Sequence, residues 1–283
     1  MYFKFPASIY LMGVFLAGLF LMQYPHELVT LAEPTIGSSH LEIKQLQQHD
    51  VVYLGENHNS IANHQQQLEI ITQLDRELAH NRELAIGLEM FQRPFQPVLN
   101  RYLAQKISEA QLREQSEYDA RWGFDWELYA PILRYALTNQ IPLTALNTPS
   151  EITLKVAEQG LNSLENSDFR YIPPLKGIKL DNQQYRQKSA EIYQQHAQNG
   201  LGNSKDSDNF FAAQVLWDET MAEAIALYYQ NHPQAQMVVL VGKAHVMDDY
   251  AIPNRVARRI SDPTFSQATI LLDEAGEQLV STN

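Results

Sequence analysis

The chain alternates between short runs of strand-forming residues and longer stretches in which apolar residues recur at helical spacing. One such stretch runs from Ser60, a residue that can cap a helix, to about His80. The short runs predict five strands, at residues 51–54, 84–88, 142–146, 237–241 and 269–273. Strands that alternate with helices indicate βαβ units and a mostly parallel sheet.

Two helical stretches are longer than single connections between parallel strands need to be. They lie at about residues 95–139 and 181–231, and a loop rich in Gly, Asn and Ser at 199–207 interrupts the second. We therefore expect an α/β fold in which a mostly parallel sheet is flanked by helices and carries an inserted helical subdomain. This domain is expected to span residues 40–283.

The pattern of apolar and charged residues at 1–32 predicts an export signal. Residues 7–22 are apolar with only Lys4 charged before them, and extending the run to 5–24 gives about the 20 residues that a spanning helix needs. The positive side stays in the cytoplasm, so we expect the main domain outside, on the periplasmic side of a membrane. An uncleaved signal anchor is favoured over a signal peptide cleaved after Ala32, and over a buried core helix.

Charge and cysteine content exclude several functional classes. The sequence holds 33 acidic and 21 basic residues, for a net charge of -12. Such a surface repels phosphate backbones, and no local basic patch offsets it, so a nucleic-acid partner is not expected. The absence of cysteine excludes disulfides, thiolate metal sites, a cysteine nucleophile and lipidation on an N-terminal cysteine.

Polar side chains follow four of the predicted strands where those strands end. In an open parallel sheet, ligands bind beyond the carboxyl ends of the strands, so these side chains are expected to share one rim of the sheet. The set contains two imidazoles, two carboxylates and one amide: Glu56, His58, Glu89, Asn147 and His245.

Two of these strand ends repeat one pattern of a strand, Gly, two residues and His. The pattern covers residues 52–58 and 239–245. Histidine and carboxylate ligands suit divalent ions such as Mn, Co or Zn. We predict a metal site with His58, His245, Glu56 and Glu89 as ligands, at which Glu56 or Glu89 is also the general base for a metal-bound water.

Each candidate also has a purely structural interpretation. His58 and Asn147 could serve only as turn residues, and Glu89 in its apolar context could be a buried carboxylate with a structural partner. His64 lies on the apolar stripe of its helix, so a buried, hydrogen-bonded histidine is at least as good an interpretation as a ligand.

An aromatic cluster with one arginine lies in the first helical stretch. Core packing of a helical subdomain explains it most simply. The alternative is a flat apolar pocket for a planar ligand, because tyrosine can ligate haem iron and arginine can hold a carboxylate. The residues that would bind such a cofactor are Tyr118, Arg121, Trp126 and Tyr129, with His64 and Asn147 as further candidates.

In order and spacing, the motifs after about residue 40 resemble the ChaN-like haem-binding proteins, within the superfamily that includes the Tiki proteases and erythromycin esterases. Each motif alone is weak, and their combination is fairly specific. The motifs are Gly55-Glu56-x-His58 with His64, Gly87-Leu88-Glu89-Met90-Phe91, Trp126-x-x-Tyr129-x-Pro131, Asn147-x-Pro149, Gln214-x-x-Trp217-Asp218-x-x-Met221-Ala222, Gly242-x-x-His245-Val246 and Pro253-x-Arg255.

The resemblance implies an α/β fold with a parallel sheet and a helical subdomain. For the ChaN-like branch it implies haem binding in iron uptake or handling, with haem held between the subunits of a homodimer as one arrangement. For the Tiki branch it implies a metal-dependent peptidase that uses His58, His245 and Glu56 or Glu89. We expect a haem-binding protein, with a divalent-metal-dependent hydrolase as the alternative.

Overall fold

The computed structural model describes residues 43–78, 82–198, 204–248, 250–272 and 277–282. The predicted export signal at residues 1–32 lies outside these residues. Among the described residues, none of the helices is both long and apolar enough to cross a bilayer.

The described strands form one six-stranded sheet in the order β3-β2-β4-β1-β5-β6. All neighbouring pairs are parallel except β5 and β6, which are antiparallel. The predicted α/β class and mostly parallel sheet are therefore confirmed. The strands are β1 (Val51–Glu56), β2 (Glu83–Gln92), β3 (Leu143–Asn147), β4 (Ala235–Gly242), β5 (Gln267–Leu272) and β6 (Glu277–Thr282).

Helices connect the parallel strands. Four helices lie between β2 and β3, and three lie between β3 and β4. The helices are α1 (Ile61–Glu77), α2 (Gln96–Leu103), α3 (Glu109–Gln115), α4 (Tyr118–Arg121), α5 (Trp126–Asn139), α6 (Ser150–Gln159), α7 (Gln183–Gln198), α8 (Ser207–Asn231) and α9 (Ile252–Ala257).

Both faces of the sheet are buried, because side chains alternate between the two faces along each strand. Val52 and Leu54 of β1 face a core that the helices α1, α2 and α5 complete. Val51 and Tyr53 face a second core, completed by α8 and α9. The helices inserted between β2 and β3 thus share one core with the sheet.

Alignment of β1 with β4 positions the functional rim. Glu56, the last residue of β1, is in register with Gly242, the last residue of β4. Because the two strands are parallel and end together, the residues that follow them leave the sheet side by side. The two copies of the strand-Gly-x-x-His pattern are therefore neighbours in space.

Candidate acid–base site at the strand ends

A buried carboxylate ends β1 and is held by three side chains. Oε1 of Glu56 accepts hydrogen bonds from Nδ1 of His58 at 2.8 Å and from the hydroxyl of Tyr129 at 2.5 Å. Oε2 accepts one from the side-chain amide of Gln67, also at 2.5 Å. Burial alone would raise the pKa of Glu56, but the hydrogen bond from His58 and the nearby imidazole of His64 lower it to about 2. Glu56 is therefore ionised at neutral pH.

His64 fixes the turn that carries His58. Its Nε2 donates to the backbone carbonyl of His58 at 3.0 Å, and its Nδ1 lies 3.0 Å from Oε1 of Gln67. This is the buried, hydrogen-bonded role that the sequence allowed for His64. Gln67 was not among the predicted residues, although it follows His64 by three positions and so lies on the same helix face.

A second histidine–carboxylate pair lies at the end of β4. Nδ1 of His245 donates to Oδ1 of Asp218 at 2.6 Å, and its Nε2 lies 3.6 Å from Oε1 of Glu89. Burial disfavours the charged imidazole, but the negative charges of Asp218 and Glu89 outweigh it and raise the pKa of His245 to about 9. Asp218 belongs to the Trp217-Asp218 motif of the sequence, yet its role as the partner of His245 was not predicted.

The two pairs meet at Gly242. Its backbone N–H donates to Oε2 of Glu89 at 2.7 Å. A Cβ atom on Gly242 would lie only 2.8 Å from Nε2 of His58, so this position must be glycine if His58 is to occupy its site. Burial disfavours the charged form of His58, but the hydrogen bond to Glu56 and the charge of Glu89 raise its pKa above 6.5.

Strand β2 is longer than the sequence predicted, and this changes the setting of Glu89. The strand runs to Gln92, so Glu89 lies within it and not after its end. The pairing with β3 shifts in register between Leu88 and Gln92. Asn147 stabilises this region, because its side-chain amide donates to the backbone carbonyl of Glu89 at 2.9 Å and its oxygen accepts from the N–H of Thr148.

Aromatic rings cover His58 on the side of the helical insertion. The ring of His58 packs edge-on against Trp122, with centroids 4.8 Å apart, and tilted against Phe124 at 4.9 Å. His58 is 8% exposed and His245 is 4% exposed, so both imidazoles are largely shielded from solvent.

The residues predicted to bind a planar cofactor do not form an open pocket. Tyr118, Trp126 and Tyr129 are each at most 2% exposed and pack on one another in the core. Arg121 is paired with the carboxylates of Glu117 and Glu151. A ligand role for these side chains stays a prediction, and it would require the helical insertion to open.

The predicted metal ligands are gathered on one rim but are already paired with one another. Glu56 is bound to His58, and Glu89 is bound to the N–H of Gly242 and lies beside His245. Among the described residues, no group of three or more histidine and carboxylate side chains has a geometry that could hold a metal ion. Each of the two strand-end imidazoles is thus paired with a carboxylate in a buried setting.

The family model described as haem-binding uptake, Tiki superfamily, ChaN, matches residues 42–256. This chain belongs to that family. No curated protein has a sequence that matches it.

Among solved structures, this ChaN-family chain resembles ChaN of Campylobacter jejuni, for which cofacial haem binding is described. The TM-score is 0.63 and the identity is 17%, over 87% of this chain and 92% of that chain. At this identity the likeness shows the shared fold.

Two other solved structures are similar at lower scores. A mutant of the erythromycin esterase EreC in its open conformation gives a TM-score of 0.46 at 13% identity, over 87% of this chain and 79% of that chain. The C-terminal region of Pasteurella multocida toxin gives 0.46 at 12% identity, over 88% of this chain and 26% of that chain. Neither likeness bears on the activity of the ChaN-family chain.

Proposed function

We propose that this chain binds haem and acts in the uptake or handling of haem iron. The observation that supports this most is the ChaN family match across residues 42–256. When bound, haem would supply an iron centre, and histidine or tyrosine side chains are residues that could hold it.

Tyr118 and Tyr129 do not suit this ligand role as they are placed. The hydroxyl of Tyr129 donates to the ionised Glu56 at 2.5 Å, and burial raises its pKa well above 10. Burial also raises the pKa of Tyr118. A phenolate ligand at either position would lie next to the negative charge of Glu56, so haem would require other side chains for its binding.

The location that we propose is the exported, periplasmic side of a membrane, with the chain anchored or secreted through its N-terminal apolar segment. Support comes from the apolar run at residues 7–22 that follows Lys4. A homodimer is part of the same proposal. Fractionation of cells that produce the full chain, followed by protease protection, tests the location.

Titration of the full chain with haemin tests the main proposal. We expect a saturable shift of the Soret band with a fixed stoichiometry, and sedimentation in the same samples reports whether a dimer forms. Circular dichroism confirms that the protein is folded. Folded protein that gives no saturable Soret shift would contradict haem binding.

A second candidate function is hydrolysis of an ester or peptide bond, and the meeting of two histidine–carboxylate pairs at Gly242 favours it. Glu56 accepts the Nδ1–H of His58, which leaves Nε2 to accept a proton from water. The water oxygen would attack the carbonyl carbon, and His245 would donate its proton to the leaving oxygen or nitrogen as that bond breaks. Glu56 and Asp218 then act as positioning residues.

The protonation states define the expected pH profile of this second activity. The base His58 must be neutral, so activity rises with pH through its pKa, which lies above 6.5. The acid His245 must be protonated, so activity falls through about pH 9. A bell-shaped profile of kcat/KM that His58→Ala abolishes supports the candidate, and an activity that survives His58→Ala and His245→Ala contradicts it.

A metal-dependent form of this hydrolase would use Mn, Co or Zn with His58, His245, Glu56 and Glu89 as ligands. Elemental analysis of the purified chain and assays with and without chelator separate the two forms. An activity that chelator removes and one of these ions restores would support the metal-dependent form.

A further inference from the structure

One buried carboxylate of α8 is surrounded by an excess of positive charge. Glu219 is fully buried, and its two oxygens bond three guanidinium groups. The neighbouring carboxylate of Asp218 is already bonded to His245. One negative charge offsets only one of three positive charges, so this cluster remains net positive. The three guanidinium groups belong to Arg255, Arg258 and Arg259.

A short turn packs on this cluster and carries two more cations. The backbone carbonyl of Gly177 accepts a hydrogen bond from the guanidinium of Arg258 at 3.0 Å. The backbone N–H of Lys179 donates to the carboxylate of Glu219, also at 3.0 Å. Lys176 and Lys179 are exposed, and no carboxylate among the described residues pairs with either of them. Two unpaired lysines therefore lie beside the arginines.

The tip of this turn is an exposed apolar side chain. Leu175 is 49% exposed and follows two consecutive prolines, Pro173 and Pro174. Because the proline ring fixes φ, the turn has little conformational freedom to lose when its tip becomes buried. An apolar side chain can enter the acyl boundary of a bilayer while neighbouring basic residues contact anionic headgroups. The turn combines both features in two adjacent residues, Leu175 and Lys176.

We propose that the turn and the arginine cluster form a docking surface for an anionic lipid bilayer. Charge complementarity selects this surface, because the whole chain has a net charge of -12 and anionic headgroups repel the acidic remainder. Asp181 is an exposed carboxylate two positions after Lys179, and it reduces the positive excess without cancelling it. The docking surface consists of Leu175, Lys176, Lys179, Arg258 and Arg259.

A nucleic acid suits this docking surface less well than a bilayer does. The cations are few, so a phosphate backbone would extend beyond them onto acidic surface. It would also leave Leu175 without an apolar partner. The surface could not be predicted from the sequence, because Gly177 and Arg258, which bond each other at its centre, are 81 positions apart.

Docking goes beyond the proposed function and does not depend on it. The docking surface belongs to the folded domain, and it requires neither haem nor the N-terminal apolar segment. In a chain anchored through residues 5–24, docking would also fix which side of the domain faces the bilayer.

A fluorescent probe at the tip of the turn tests the proposal in the full chain. The chain has no cysteine, so Leu175→Cys accepts a single environment-sensitive label. We expect its emission to move to shorter wavelength with vesicles of phosphatidylcholine and phosphatidylglycerol, and not with phosphatidylcholine alone. High salt should reverse the shift. Ile61→Cys is the matched control, because Ile61 is 66% exposed and begins α1, which packs on the other face of the sheet.

Removal of single charges measures the contribution of the lysines. Lys176→Gln or Lys179→Gln in the labelled chain should lower the ratio of docked to undocked probe about fivefold, as expected for one basic residue at an anionic surface. Both side chains are exposed, so the fold should persist, and circular dichroism checks this. Lys106→Gln is the control, since Lys106 is exposed between α2 and α3 and should leave the ratio unchanged.

Each outcome supports the docking surface or overturns it. A probe at Leu175 that does not respond to the anionic vesicles, or responds no more than the probe at Ile61, overturns it. Equal shifts with both kinds of vesicle contradict the role of the cations. A shift that inorganic phosphate alone produces would make the surface a site for a soluble anion and not for a bilayer. Co-sedimentation with vesicles and the Soret titration report anchoring and haem binding separately, so either of those proposals can fail without the docking surface.

Discussion

The Nε2 atom of His58 occupies the space in which Gly242 would carry a side chain. A Cβ atom on Gly242 would lie 2.8 Å from that nitrogen and 3.7 Å from Oε2 of Glu89. The two histidine–carboxylate pairs can approach each other only because this residue has no side chain.

Gly242→Ala should therefore displace His58 and destabilise the fold. Overpacking of a buried site costs about 1–3 kcal/mol, and urea unfolding monitored by fluorescence would measure the loss. Gly177→Ala is the matched control, since its Cβ would meet nothing nearer than the Cβ of Pro173 at 3.3 Å. Equal losses for the two variants would contradict the close approach of His58 to Gly242.

The hydrogen bond from Tyr129 to Glu56 should contribute to stability. Tyr129→Phe removes a buried donor to a charged group, a change that costs about 1.5–3 kcal/mol. Tyr102→Phe is the control, because the buried hydroxyl of Tyr102 has no hydrogen-bond partner in the described part of the chain. Denaturant unfolding should show a loss for Tyr129→Phe and little change, or a gain, for Tyr102→Phe.

Stability should decrease as the pH rises through about 9. The folded state holds the pKa of His245 above its unfolded value of 6.5, because the charges of Asp218 and Glu89 outweigh burial. The stabilising contribution of the charged imidazole is complete below pH 6.5 and is lost as the pH passes about 9. Asp218→Asn should flatten this part of the stability curve, which denaturant unfolding between pH 6 and pH 10 would measure. An unchanged curve would argue against the pairing.

Neutralising the buried carboxylate of Glu219 should cause one of the larger losses in the free energy of unfolding. Glu219 is fully buried and bonds the guanidinium groups of Arg255, Arg258 and Arg259. Breaking a buried ion pair by removing one partner costs about 3–5 kcal/mol, so Glu219→Gln should unfold at much lower denaturant.

Glu127→Gln provides the control for this prediction. Glu127 is 62% exposed in its pair with Arg134, and exposed pairs contribute about 0–1 kcal/mol. A Glu219→Gln loss as small as that of Glu127→Gln would contradict a structural role for the arginine cluster.

The sequence predicted the sheet and the rim because both follow from local patterns. The five parallel strands and the clustering of Glu56, His58 and His245 depend only on strand runs and on where parallel strands end. The partner of His245 was missed, since Asp218 lies in the middle of a 25-residue helix and reaches the rim only through packing. β6 was missed as well.

The aromatic cluster shows a second limit of what can be predicted from the sequence. Trp126 and Tyr129 have the composition of a ligand pocket, but the spacing of residues cannot tell a ring that lines a pocket from one that fills a core. The structure places Tyr129 against Glu56, across 73 positions of the chain. The domain boundaries and the export signal remain predictions.

The position of β1 in the sheet sets the order in which this protein can fold. Among the described strands, β1 pairs with β4 and β5, and with none that precedes β4 in the chain. During synthesis, about 180 further residues must therefore be added before β4, the first strand that pairs with Val51–Glu56, has been made. Contacts of such sequence separation slow folding and expose the nascent chain to misassembly. The rim at the ends of β1 and β4 is thus one of the last parts of the molecule to form, and a chain truncated before Ala235 would lack β4 and His245.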